Sequence, residues 1–182
     1  GKTYDFNEAT KYEHGSILPK AFGGFGTELR IGGFDLSLMF DYQLGGKVFD
    51  MCYQGVVGSA ENAQGAGMAI HKDWKKAWSP DNTTSNLPRW QYGDLYNTAS
   101  SDLFLTNASY LNFQNAQLGY TLPERLTKKL YISRLRVYVA CDNIVYWSRR
   151  QGFDPRFSFS GTTNNAVNSP VRTVSGGLNI TF

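Results

Sequence analysis

The chain has 182 residues, enough for one domain, with 15% aromatic residues, only 18% charged residues, 19 glycines and a net charge of +3. A charge so small and so scattered excludes a nucleic-acid-binding surface. No apolar run approaches the roughly 20 residues of a transmembrane helix, whereas many aromatics and glycines with few charges fit strands and turns.

The chain opens Gly1-Lys2-Thr3, without an initiator Met or a signal peptide, and is read as a processed product or a piece of a longer one. Phe25, Thr27, Leu29 and Ile31 alternate with Gly26, Glu28 and Arg30, which predicts a strand starting near Phe22. Gly32-Gly33 is a two-residue hairpin signal. The run from Phe34 to Leu44 follows. Phe34, Leu36, Leu38, Phe40, Tyr42 and Leu44 share one face, and Asp35, Ser37, Asp41 and Gln43 share the other, with Met39 out of place. Such a run is long enough for a tilted strand to cross a bilayer.

A long polar region covers about 50 to 105. Ile70, Trp74, Ala77 and Trp78 fall at helical spacing, and Ser79-Pro80 ends that helix. The next strand, about 109 to 122, changes phase. Leu111 and Phe113 are apolar at odd positions, Ala116, Leu118, Tyr120 and Leu122 at even ones. That slip predicts a β-bulge near Asn115. Pro123 stops the strand, and a short connection from Glu124 to Ile132 leads to Leu135, Val137, Val139 and Cys141 alternating with Arg136, Tyr138, Ala140 and Asp142. A second long loop, about 148 to 170, precedes a last strand. There Val174, Gly176, Leu178, Ile180 and the terminal Phe182 alternate with Ser175, Gly177, Asn179 and Thr181. Cys52 and Cys141 are read as free thiols, since Cys141 lies mid-strand on the apolar face.

Little in the chain carries catalytic chemistry. Gly24-Phe25-Gly26 precedes a strand instead of a helix and lacks a third glycine at the spacing of a phosphate loop. His14 and His71 have no ligand-like spacing, and no Gly-x-Ser-x-Gly motif occurs. We expect no enzyme, no cofactor and no metal. Trp74, Trp78, Trp90 and Tyr92 in the first long loop are candidate contacts for a solute or a partner protein, against the plainer reading of loop packing. Tyr42, Tyr110, Tyr120, Tyr146 and Trp147 fall near strand ends, where aromatic girdles anchor a barrel.

Alternation alone leaves two architectures open. One is an all-β, antiparallel transmembrane barrel segment with outward residues in lipid. The other is a soluble β-sandwich serving as a carbohydrate-binding or adhesin module. Short connections alternating with long ones match short periplasmic turns and longer extracellular loops. Five spanning strands are too few and odd in number for a bacterial single-chain barrel, so residues 1–182 are read as the C-terminal part of a larger one. On this reading Leu36, Leu38, Phe40, Val137, Val139, Leu178 and Ile180 face lipid, while Asp35, Ser37, Asp41, Arg136, Asp142 and Asn179 face the lumen.

Several blocks resemble the SusC/RagA family of TonB-dependent outer-membrane transporters of the Bacteroidetes. They are Leu18-Pro19-Lys20 with Gly23-Gly24-Phe25, then Gly33-Phe34-Asp35-Leu36-Ser37, Trp78-Ser79-Pro80, and Asn86-Leu87-Pro88-Arg89. Ala108-Ser109-Tyr110-Leu111-Asn112, Leu118-Gly119-Tyr120-Thr121-Leu122-Pro123, Gly152-Phe153-Asp154-Pro155 and Gly177-Leu178-Asn179-Ile180-Thr181-Phe182 continue it in the family's order. Arg is common in the family where Asn112 stands, and a basic residue where Gln114 stands. The resemblance implies import of glycans or peptides across the outer membrane, with a SusD-like surface lipoprotein as lid. It also implies contact with the TonB complex through an N-terminal region and plug that this chain lacks. A terminal Phe in that strand resembles the outer-membrane assembly signal. Deleting Phe182 is therefore expected to lower the amount of folded, heat-modifiable barrel of the full-length protein in the outer membrane. Normal barrel abundance with lost uptake would assign the residue another role.

Overall fold

In a computed structural model, residues 5–57, 71–89, 91, 99–149, 152–157 and 170–182 are described. The described residues divide into two compact units. One falls within Leu18–Gly46, Ala108–Pro155 and Asn168–Phe182, and the other within Gly1–Ile17, Lys47–Asn107 and Arg156–Val167.

The first unit is built on strands β1 (Ala21–Ile31), β2 (Phe34–Leu44), β5 (Tyr110–Thr121), β6 (Arg134–Ser148) and β7 (Thr173–Thr181). Strands β3 (Lys47–Phe49) and β4 (Leu105–Asn107) belong to the second. The large sheet is five-stranded in the order β1-β2-β5-β6-β7, and every pairing in it is antiparallel. Two glycines close the first hairpin. Gly32 has φ +57° and Gly33 φ +94°, the pair of positive angles that matches a tight turn to the strands' twist.

Register assigns the faces. Phe40 stands between Phe25 and Phe113, Leu38 between Thr27 and Ala116, and Leu36 between Leu29 and Leu118. Val137 stands between Tyr120 and Leu178, and Leu135 opposite Ile180. One face is therefore apolar across all five strands, and Phe25, Leu29, Leu118, Val139, Leu178 and Ile180 on it are exposed. The opposite face sets Asp35 against Arg30 and Gly119, Ser37 against Gln117, Asp41 against Asn112, and Arg136 against Asn179. A wall with an uncovered apolar side and a polar side suits lipid without and a lumen within. Stacked rings reinforce the outer side: Phe25–Phe40 at 5.0 Å and Phe40–Phe113 at 4.4 Å between centroids.

The expected bulge is present. Met39 pairs with Asn115 and Phe40 with Phe113, which leaves Gln114 as the extra residue of β5. The same break runs into β6, where Asn115 faces Asp142 and Phe113 faces Val145. Asn143 takes φ +51° there, a left-handed angle that Asn tolerates better than most residues. The bulge puts Leu111 and Phe113 on the same side as Ala116 and Leu118.

Two expectations change. Tyr42, Tyr120 and Trp147 lie on the apolar face, but Tyr110 pairs with Gln43 and Tyr146 with Asn112, so both tyrosines belong to the inner face. Proximity to a strand end fixes depth, and parity fixes the side. Strand β6 also continues to Ser148, past the alternation that ends at Cys141, because the bulge shifts its pattern.

Leu38 lies near the middle of β2 on the outer face. Leu38→Arg in the full-length barrel is expected to cost roughly 2–4 kcal/mol at the bilayer midplane, measured by denaturant unfolding in phospholipid vesicles. An unchanged midpoint would show that this face does not meet hydrocarbon.

Candidate functional site

The inner face holds a polar depression of about 820 Å³, lined by Glu28, Arg30, Asp35, Ser37, Gln117, Arg134, Arg136, Asn179 and others. At its centre Arg136 of β6 reaches across β5 to Asp35 of β2. Its Nε donates to Asp35 Oδ1 at 2.9 Å, and its Nη2 donates to Oδ2. Gly119 of β5 lies beneath this bridge. A Cβ there would stand 2.4 Å from Arg136 Nη2 and 2.6 Å from Asp35 Oδ1. Only a residue without a side chain lets the two charges meet over the intervening strand. With its amide oxygen turned toward the guanidinium, Gln117 accepts from Arg136 Nη2 at 2.8 Å. The guanidinium also lies 5.2 Å from the centroid of the Tyr138 ring. The pair is largely sheltered, with side-chain exposures of 13% for Arg136 and 22% for Asp35. By contrast Arg30 and Glu28, paired at 3.1 Å along β1, are exposed and hold each other weakly. Nearer the bulge, Asn112 Nδ2 donates to Asp41 at 2.7 Å and Asn115 Nδ2 to Asp142 at 2.6 Å.

The second unit is organised by a small core. Val57, Trp74 and Phe104 are buried, with Phe49, Tyr53, Ala77, Leu87 and Leu103 packed on them. Helix α1 (Met51–Val57) starts at Asp50, whose Oδ1 accepts from the Tyr53 N–H at 2.8 Å, an N-cap arrangement. That Asp was the sequence signal for a helix the apolar spacing did not reveal. Around Trp74 the predicted helix is replaced by a 3-10 turn over Lys72–Lys76. His71 caps it, with Nδ1 accepting from the Asp73 N–H at 3.2 Å. In a three-residue period Trp74 and Ala77 eclipse and enter the core together, and Trp78 turns away. Ile70 lies outside the described residues. Tyr53 donates its hydroxyl to Asp73 Oδ2 at 2.9 Å. Burial, with the Asp73 hydrogen bond and charge, pushes the Tyr53 phenol up to about 12.

This core corrects one candidate contact. Trp74 is 9% exposed, so its ring packs the loop and offers no face to a solute. Trp78 is 37% exposed and keeps a free surface. Trp90 and Tyr92 lie outside the described residues. Sequence reasoning missed the Asp35–Arg136 bridge, because its partners are 101 positions apart. Gly119 inside the alternating run from Ala116 to Leu122 was the available signal.

No protein-family model matches the chain. It is similar to TonB-dependent receptor P3 of Formosa agariphila, at 28% identity over 178 aligned residues that cover 92% of this chain and 17% of the receptor. TonB-dependent receptor P26 of the same organism is 25% identical over 92% of this chain and 17% of its own length. The chain thus spans 17% of the length of these relatives. Among solved structures, the RagAB peptide importer in its closed-closed state matches 99% of this chain and 19% of that one, with a TM-score of 0.74 and 24% identity. Its open-open state gives a TM-score of 0.71 over 96% of this chain and 19% of that one, also at 24% identity. At that identity the likeness shows the fold: a segment of a barrel wall, and not half of a sandwich.

Gly119→Ala is expected to displace the ion pair and to lower the unfolding midpoint of the full-length barrel, because its Cβ would overlap both charged groups. Gly176→Ala is the control, because a Cβ there would meet only the Tyr138 carbonyl oxygen at 3.5 Å. Equal unfolding midpoints for the two variants would contradict the gap assigned to Gly119.

Proposed function

We propose that this chain, a barrel segment of a TonB-dependent receptor of the SusC/RagA type, forms part of the wall of an outer-membrane channel that imports oligosaccharides or peptides. The observation that carries this reading is the division of one five-stranded sheet into an exposed apolar face and a polar face holding charges. The larger part of the polypeptide would supply the remaining strands, the plug and the segment that meets the TonB complex. A SusD-like surface lipoprotein would cover the outer mouth, a reading supported by likeness to the RagAB importer. Peptides enter the substrate class for the same reason, and glycans through the sequence resemblance. Trp78, Trp90 and Tyr92 are proposed as outer-loop contacts for solute or lipoprotein, and the exposure of Trp78 supports its share. Phe182, exposed beyond β7, is proposed as the residue read during barrel assembly.

A strain lacking the full-length protein tests this. Uptake of fluorescent peptide pools and oligosaccharide pools is expected to fall for one class, and to fall equally in the intact strain when a protonophore removes the energy source. Unchanged uptake of both classes would overturn the reading. Co-purification of a surface lipoprotein with the tagged full-length protein tests the partner separately.

A further inference from the structure

We propose that the connection between β5 and β6 forms a headgroup site for an anionic phospholipid, at the rim of the wall where the short turns lie. The connection consists of α2 (Glu124–Thr127) and a 3-10 turn over Lys128–Leu130, closed by Tyr131. It is held to the sheet at both ends. Leu122 donates its N–H to the Leu135 carbonyl at 2.9 Å, and Ser133 donates its N–H to the Thr181 carbonyl at 2.8 Å. Thr127 is buried at its centre, and its carbonyl accepts the Ile132 N–H at 3.3 Å. The connection belongs to the same compact unit as the sheet.

Tyr131 is out of keeping with this local structure. Its φ is +54°, at the position after a helical turn where glycine is usual. A bulky residue adopts that angle at a cost. Its side chain is nevertheless 90% exposed, so packing within this chain does not offset the cost. Leu126, on the same connection, is 63% exposed. An outlier of that kind marks a contact outside the chain.

Two further observations name the contact. The first is a recess of about 380 Å³, lined by Glu124, Lys128, Tyr131, Ile132 and Ser133. Ser133 keeps the parity of Leu135, so the recess adjoins the apolar face at the end marked by Leu135 and Ile180. Hydrocarbon against those side chains places the headgroups of the same leaflet at this rim. The second is charge. Arg125, Lys128 and Lys129 stand against one carboxylate, Glu124, whose pairing with Lys128 at 3.2 Å is exposed and weak. Neither Arg125 nor Lys129 joins an ion pair among the described residues. A zwitterionic headgroup carries its own cation, whereas phosphatidylglycerol brings a phosphate that lacks one. That phosphate accepts from Lys128 Nζ and from the Tyr131 hydroxyl. The ring lies in the interface, and Leu126 enters the acyl boundary. A free phosphate ester offers the same oxygens but no chains for the apolar rim, so the site is assigned to lipid.

This site rests on the sheet being a wall in lipid, and not on what the channel carries. Uptake tests the channel and lipid binding tests the site, so the two readings fail separately. The purified full-length protein in detergent is titrated with phosphatidylglycerol, phosphatidylcholine or glycerol phosphate, and the tightest bound species is followed by native mass spectrometry. Phosphatidylglycerol is expected to bind about tenfold more tightly than phosphatidylcholine, the worth of one hydrogen bond to a charged group. Tyr131→Gly suits the backbone angle and removes the ring and hydroxyl. It is expected to weaken phosphatidylglycerol about tenfold, with the unfolding midpoint in detergent unchanged or raised. If that variant gives no heat-modifiable barrel, Lys128→Gln is used, with the same expected loss of affinity. Equal affinity for the two lipids, an affinity indifferent to the substitution, or glycerol phosphate binding as tightly as the lipid would overturn the site.

Discussion

Hydrocarbon offers a backbone amide no partner, so a wall that stands in lipid must pair each strand with its neighbours along its whole crossing. The five-stranded sheet follows from that constraint. Register runs without a gap from Ala21 opposite Leu44 to Ile31 opposite Phe34, and from Arg134 opposite Thr181 to Asp142 opposite Thr173. Where the sequence inserts an extra residue, Gln114, the ladder absorbs it as a bulge and pairing resumes at Phe113. Without the bulge, Leu111 and Phe113 would turn into the polar face, because a one-residue slip inverts every side chain beyond it.

The two faces answer to different physics. Outside, apolar rings and aliphatic chains need only to be apolar and to fill the surface; the stacked Phe25, Phe40 and Phe113 add a little through ring contact. Inside, charges must find partners across strands. Arg136 spends nearly all its donors on Asp35 and Gln117 while lying against Tyr138, and this ties β2, β5 and β6 together over the bare backbone of Gly119. Among the described residues Asp41 and Asp142 accept from the amides of Asn112 and Asn115 and join no ion pair.

The second unit holds itself together as a soluble protein does, by burying a few large side chains. Its core of Val57, Trp74 and Phe104 is small. Polar anchors supplement it: the Asp50 cap of α1, the His71 cap, and the hydroxyl of Tyr53 on Asp73. Such a unit can vary its surface without disturbing the sheet's ladder, which is where loops usually carry specificity.

The sequence by itself determined the five strands of the large sheet, their faces and the bulge, but not the short β3 and β4. All three are written in a two-residue period that the backbone geometry imposes directly, as the run from Phe34 to Leu44 and the parity change around Asn115 show. Blocks such as Leu118 to Pro123 likewise carried the family. Other features depended on residues distant in the chain. Trp74 reads as a contact until it is seen buried in one core with Val57 and Phe104. Tyr110 and Tyr146 read as girdle residues until their cross-strand partners, Gln43 and Asn112, place them inside. The bridge from Asp35 to Arg136 and the Asn112 oxygen, unpaired among the described residues, have no local signature at all. Local periodicity can specify which way a side chain points. What it meets there is settled by the register of other strands, and only the tertiary structure decided that.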